Sequence, residues 1–222
     1  MRSTRSPIAA AVLLLASSLP ARAQDRVPLN GWGVLGLGTG SANVACAGCR
    51  SGWNLGGPTL LSTVGQMVTP RLGVGVGLDE WWLGAAADTE VIKTGTVLVH
   101  YYPTLRPGAF VEAGLGLARA EVRLDESTTF AGRPGRPLES IAEGRGLGLM
   151  AAVGYDLRLT RGKDADLIVT PRVSYAYSSI GDLDRYVYSL NGDRHATGRP
   201  PFATGWRHQV LAAGLAVGFW GH

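Results

Sequence analysis

The residues most able to do chemistry are few. His100, His195 and His208 are the candidate acid–base groups, Cys46 and Cys49 form a Cys-x-x-Cys pair, and residues 31–36 match Gly-x-Gly-x-x-Gly. A barrel enzyme that transfers or removes acyl groups pairs a His with a Ser and an acid, held within hydrogen-bond reach. His195 lies in a long connection after Arg194, and His208 follows Arg207 with no acid nearby in sequence. No spacing here sets up a nucleophile and its base, so the chain is read as non-catalytic. The glycine motif fails as a dinucleotide fingerprint, which needs a helix after it and an acid about 20 residues on. No Asp or Glu occurs between Asp25 and Asp79, and Trp32 and Val34 fit a strand. No cofactor or metal is implied. The cysteines allow three readings: a loop disulfide, half of a zinc site, or a redox pair. Export, argued next, favours the disulfide.

Residues 1–23 read as a secretory signal peptide. Arg2 and Arg5 precede an apolar stretch over 7–19, and Ala21-Arg22-Ala23 supplies a small-x-small cleavage site. The mature chain is then 24–222. Removing Arg2, Arg5 and Arg22, with no acid among those residues, takes the formal charge from +4 to +1. The remaining Lys and Arg are dispersed, so nucleic acid, which needs a clustered basic face, is excluded as a partner.

The 32 glycines, about 14% of the chain, are roughly twice the usual share and argue against helices. Period-two alternation recurs instead. Leu147, Leu149, Ala151, Val153, Tyr155, Leu157 and Leu159 share one face, while Gly146, Gly148, Met150, Ala152, Gly154, Asp156 and Arg158 share the other. Leu211, Ala213, Leu215, Val217 and Phe219 likewise oppose Ala212, Gly214, Ala216 and Gly218. Eight such segments are expected, at 31–40, 59–69, 72–83, 91–102, 109–123, 144–159, 166–180 and 205–220. The second and fourth leave their parity open.

One face is bulky and apolar, and the other is small with scattered charge. A soluble sandwich puts bulk inside and frequent charge outside. A narrow barrel in lipid does the opposite. Connections alternate short and longer, the longer ones at 41–58, 124–143 and 181–204, with the third-to-fourth, 84–90, as the exception. The fold class expected is all-β: an eight-stranded antiparallel up-and-down transmembrane barrel. Sorted by height, Trp32, Tyr101, Tyr155 and Phe219 fall near the short turns, and Trp81, Trp82, Tyr177 and Trp206 near the long loops. These are expected as two interfacial belts.

With its exported start, eight alternating strands and a last strand reaching Phe219, the mature chain resembles the small outer-membrane β-barrels of the outer-membrane protein A and X type. The family's assembly signal usually ends on the terminal aromatic, whereas here Trp220, Gly221 and His222 follow Phe219. The resemblance implies location in the bacterial outer membrane. It implies lipids, lipopolysaccharide and the barrel-assembly machinery as partners, and leaves room for an extracellular ligand at the long loops. It implies a structural or surface-interaction role with a lumen filled by side chains. A lipid-modifying barrel enzyme and a soluble periplasmic lipocalin-like carrier are the competing readings.

If the apolar faces point outward, Glu112, Asp156, Arg158 and Arg172 point inward, joined by His100 when Val97, Val99 and Tyr101 face out. A charge in so narrow a lumen must be paired or wet. A polar cluster centred on Arg172, with Glu112 and Asp156, is expected in the periplasmic half. Arg133, Arg136 and the Asp and Arg residues of 181–204 read as solvated loops, with phosphate or calcium binding as the sharper alternative.

Overall fold

The computed structural model describes residues 31–47, 49, 52–84, 88–103, 108–124, 140–188, 194–196 and 200–221. The expected signal peptide lies outside the described residues. The strands are β1 (Gly31–Ala45), β2 (Trp53–Met67), β3 (Leu72–Gly84), β4 (Asp88–Tyr101), β5 (Ala109–Leu124), β6 (Ser140–Tyr155), β7 (Leu157–Arg161), β8 (Ala165–Tyr188), β9 (Arg194–Ala196) and β10 (Ala203–Gly221). Neighbours from β1 to β6 pair antiparallel in sequence, β6 pairs β8, and β8 pairs β10. β10 also pairs β1, from Trp32 opposite Trp220 to Ala45 opposite Arg207, so the ring of eight long strands returns to its start.

β1, β2 and β6 reach several residues past their expected segments toward the long connections, and two further elements depart in kind. The segment 144–159 divides at Asp156 into β6 and β7, because the Asp156 amide donates to the Gly108 carbonyl oxygen at 2.9 Å instead of continuing the ladder. β8 runs eight residues past the expected Ile180, bending at Gly181, whose φ of +90° suits glycine. Its extension pairs with β9.

The side chains alternate as the ring demands. Leu211, Leu215 and Phe219 are 48%, 59% and 50% exposed, which puts the bulky apolar face outside. Glycine and alanine sit inside, where strands approach closely. A Cβ on Gly116 would strike the Gly95 carbonyl oxygen, and one on Gly146 the Ser179 carbonyl oxygen. The open parities resolve: Thr59, Leu61, Thr63 and Met67 of β2 are buried, as are Thr94, Thr96, Leu98 and His100 of β4.

The lumen is packed in three layers. Near the short turns lie Trp32, Met67, Leu98, Tyr102, Phe110, Met150, Ile168 and Trp220. Trp81, Ile92, Ala176 and Val210 fill the middle, with the Trp81 indole donating to the Gly40 carbonyl oxygen at 3.2 Å. Val44, Val122, Ile180, Leu183 and Trp206 close the long-loop end.

These layers correct part of the expected aromatic belts. Trp32, Trp81 and Trp206 are buried in the lumen and cannot face an interface. Parity is the physical reason: Trp32 shares its face with Gly36 and Gly40, Trp81 with Gly77 and Asp79, and Trp206 with His208 and Val210. Height alone had placed them in the belts. Tyr101 and Phe219 are exposed on the outer wall, and Tyr155, Trp82 and Tyr177 are half-buried there.

The inward glycines give a direct test. Gly116→Val is expected to abolish the folded band on unheated gels, whereas Gly95→Ala, whose Cβ meets nothing within 4 Å, is expected to keep it.

Candidate functional site

The inward charges gather above the aromatic floor. His100 of β4 stands directly opposite Glu112 of β5, and Ala152 of β6 stands opposite Glu112 on its other side. Beside it Gly154 faces Arg172 of β8. Two small residues therefore leave Arg172 free to cross β6. Its Nη1 lies 3.0 Å from Glu112 Oε2, and both side chains are about 1% exposed. His100 Nδ1 lies 3.6 Å from Glu112 Oε1. Arg172 Nη2 reaches the Met150 sulfur at 3.4 Å, a weak contact that fills the remaining space.

The floor itself is a stack of rings around His100. The Phe110 ring centroid is 4.2 Å from that of His100, Tyr102 is at 4.6 Å and Trp32 at 4.8 Å. Trp220 closes the other side, 5.7 Å from Tyr102 and 6.5 Å from Trp32. Asp156 is tied to this floor: Tyr102 Oη donates to its Oδ2 at 2.5 Å and Thr170 Oγ1 to its Oδ1 at 2.8 Å. Glu112, Arg172, His100 and Asp156 line one small cavity together with Thr63, Tyr102 and Thr170.

Of the five residues expected in the lumen cluster, His100, Glu112, Asp156 and Arg172 are thus brought together. Arg158 stands apart on β7, with its Nε 2.7 Å from Asp166 Oδ2. Tyr102, Thr170 and Asp166 complete the arrangement and were not anticipated. Tyr102 closes a strand whose parity was open, and hydroxyls carry no charge to mark them. Inward Asp79, beside Thr94, lines a second small cavity higher in the lumen with Thr59 and Ser174.

The other chemical candidates resolve as follows. Cys46 and Cys49 form a disulfide, with Cα atoms 5.1 Å apart, on the turn after β1. His208 faces Ser178 across β10 and β8, both fully buried. His195 is on β9, opposite Val187. Among the described residues, no three His, Cys, Asp or Glu are grouped to hold a metal ion. Arg133 and Arg136 lie outside the described residues.

Solved structures share this architecture. The chain is similar to Ail, the attachment invasion locus protein of Yersinia pestis, with 10% identity and a TM-score of 0.53 over 86% of this chain and 99% of that one. The same protein in complex with the heparin analogue sucrose octasulfate gives 9% identity and a TM-score of 0.50 over 86% and 99% of the two chains. The fold is that of the small outer-membrane β-barrels. Neisserial surface protein A is a further match, at 14% identity and a TM-score of 0.49 over 84% and 96%. No protein-family model matches the chain, and no curated protein does.

An arginine and a carboxylate neutralise one another behind a wall of rings, and the imidazole is stacked on three of its sides. Removing one member of such a pair leaves the other charged and buried, at about 3–5 kcal/mol, whereas replacing both with well-packed apolar residues is close to neutral. Glu112→Ala is therefore expected to lower stability in micelles by about that amount, and Glu112→Leu with Arg172→Met to restore most of it, read by urea titration of tryptophan fluorescence.

Proposed function

We propose that the chain is an integral protein of the bacterial outer membrane, exported by residues 1–23 and folded as the barrel of 24–222, with a structural or surface-interaction role and no catalytic one. One observation carries the reading. The described wall exposes a continuous apolar surface, including Leu35, Leu37, Val97, Leu115, Leu117, Leu147 and Leu149, around a packed interior. Water would penalise that surface, and hydrocarbon does not. From Ala109 to Leu117 the outward row of β5 is apolar for about 26 Å along the strand. At a tilt near 40° that is about 20 Å of height, close to the apolar band of such barrels.

Both competing roles fit the interior less well. A lipocalin-like carrier needs an apolar cavity in the lumen, and the three layers of buried side chains there support the other reading. A lipid-modifying enzyme needs a histidine open to the membrane or the surface, and His100 and His208 are sealed inside. The partners of this reading are membrane lipids, lipopolysaccharide, the barrel-assembly machinery that inserts the strands, and an extracellular ligand at the long loops.

Fractionation tests it. The protein is expected in the carbonate-washed membrane pellet, with mobility that changes on heating. Release with the periplasmic fluid on osmotic shock would sink the proposal. Leu115→Arg, which places a cation within the apolar band, is expected to cost about 2–4 kcal/mol in micelle or vesicle unfolding. The same substitution on a soluble carrier would be nearly neutral.

A further inference from the structure

The outer wall changes character along one line. On β3 to β6 the row Val76, Val97, Leu115 and Leu149 is apolar, and so is the next, Leu78, Gly95, Leu117 and Leu147. The row above is Glu80, Lys93, Arg119 and Arg145, each directly opposite its neighbour. Three cations thus face outward on three adjacent strands, on the long-loop side of the apolar band. Directly opposed side chains have Cβ atoms about 4.5–5.5 Å apart, where like charges repel.

Their carboxylates lie on the same face, Glu80 in the row itself and Glu121 and Glu143 in the row above. Arg119 Nη2 is 2.7 Å from Glu143 Oε2 and 3.3 Å from Glu121 Oε2. Arg145 Nη2 is 3.5 Å from Glu143 Oε1, and Lys93 Nζ is 3.0 Å from Glu80 Oε1. The acids are covered, with side-chain exposures of 3% for Glu143, 13% for Glu121 and 14% for Glu80. The cations are open, at 43% for Lys93, 38% for Arg119 and 72% for Arg145. The acids brace the cations and leave their outer faces exposed. The row just below, continued past Leu147, runs through Ser179, Arg207 and Ala45, with a single cation among them.

We propose that Lys93, Arg119 and Arg145 form a binding site for the phosphate groups of a phosphorylated glycolipid in the outer leaflet, whose acyl chains lie along Leu115, Leu117, Leu147 and Leu149. Guanidinium and phosphate match in geometry and charge, and an arginine at the edge of hydrocarbon keeps its stem apolar while its head stays polar. The proposal rests on the outer-membrane reading and adds to it a particular face and a particular chemical group.

The test uses the folded protein in phosphatidylcholine nanodiscs carrying either bisphosphorylated lipid A or lipid A stripped of phosphate. Lipid retained on the protein after detergent exchange is counted by native mass spectrometry. The wild type is expected to retain the phosphorylated form about tenfold over the stripped form. Lys93→Gln with Arg145→Gln is expected to lose that preference. This double variant leaves the Arg119–Glu143 pair in place, and the heat-modifiable band checks its fold. Arg207→Gln is expected to behave as wild type. A double variant that keeps the preference, or a folded wild type that never shows one, overturns the site and leaves the membrane reading standing. A wild type that does not insert into the discs overturns both.

Discussion

β10 hydrogen-bonds on both sides, and most of the molecule follows from that. An open sheet of this length would leave two edges of unpaired amides and carbonyls, each costing several kcal/mol in hydrocarbon. Closing the edge with eight long strands fixes the bore, which is just wide enough for side chains to fill. Inward positions must then be small where strands approach closely, as at Gly116 and Gly146, and bulk is displaced outward. The glycine-rich face and the exposed leucines are two results of one closure.

Charge is handled in two ways on the two faces of that wall. Inside, Arg172 and Glu112 lie close together, away from water, with rings and a thioether filling the space around them. The desolvation cost of such a pair is offset by its mutual attraction, and removing either partner would strand the other. Outside, Arg119 and Arg145 also have carboxylates, but those are the covered members and the guanidinium faces stay open. The same residue types therefore pair off inside the lumen and present cations outside it, according to which member is buried.

Strand alternation made the architecture readable from the amino-acid order. Leu211 to Phe219 and Leu147 to Tyr155 alternate without a break, so their outward face was clear. The inward set His100, Glu112, Asp156 and Arg172 followed from the same parity, since a charge opposite leucines in a thin wall has one direction left. Trp32, Trp81 and Trp206 were misplaced because aromatic type and height were weighed while parity, which already pointed inward, was not. Tyr102 and Thr170 were missed for another reason. Their roles depend on Asp156 leaving its strand, and a local kink made by one amide bonding to Gly108 leaves no periodic trace. The outward row of Lys93, Arg119 and Arg145 was also invisible along the chain, because its members lie on separate strands and meet only through register.

The aromatic floor has a consequence for the order of events. Trp32 is on the first strand and Trp220 on the last, so the two indoles meet only when the chain's distant ends pair. Contacts of such sequence separation form late, after the chain has met the entropy of closing so large a loop. Until then the floor lacks two of its rings and water reaches Glu112 and Arg172 from below. Their desolvation is thereby deferred to the moment when β10 and β1 join, and the closing of the ring and the drying of the ion pair become a single event.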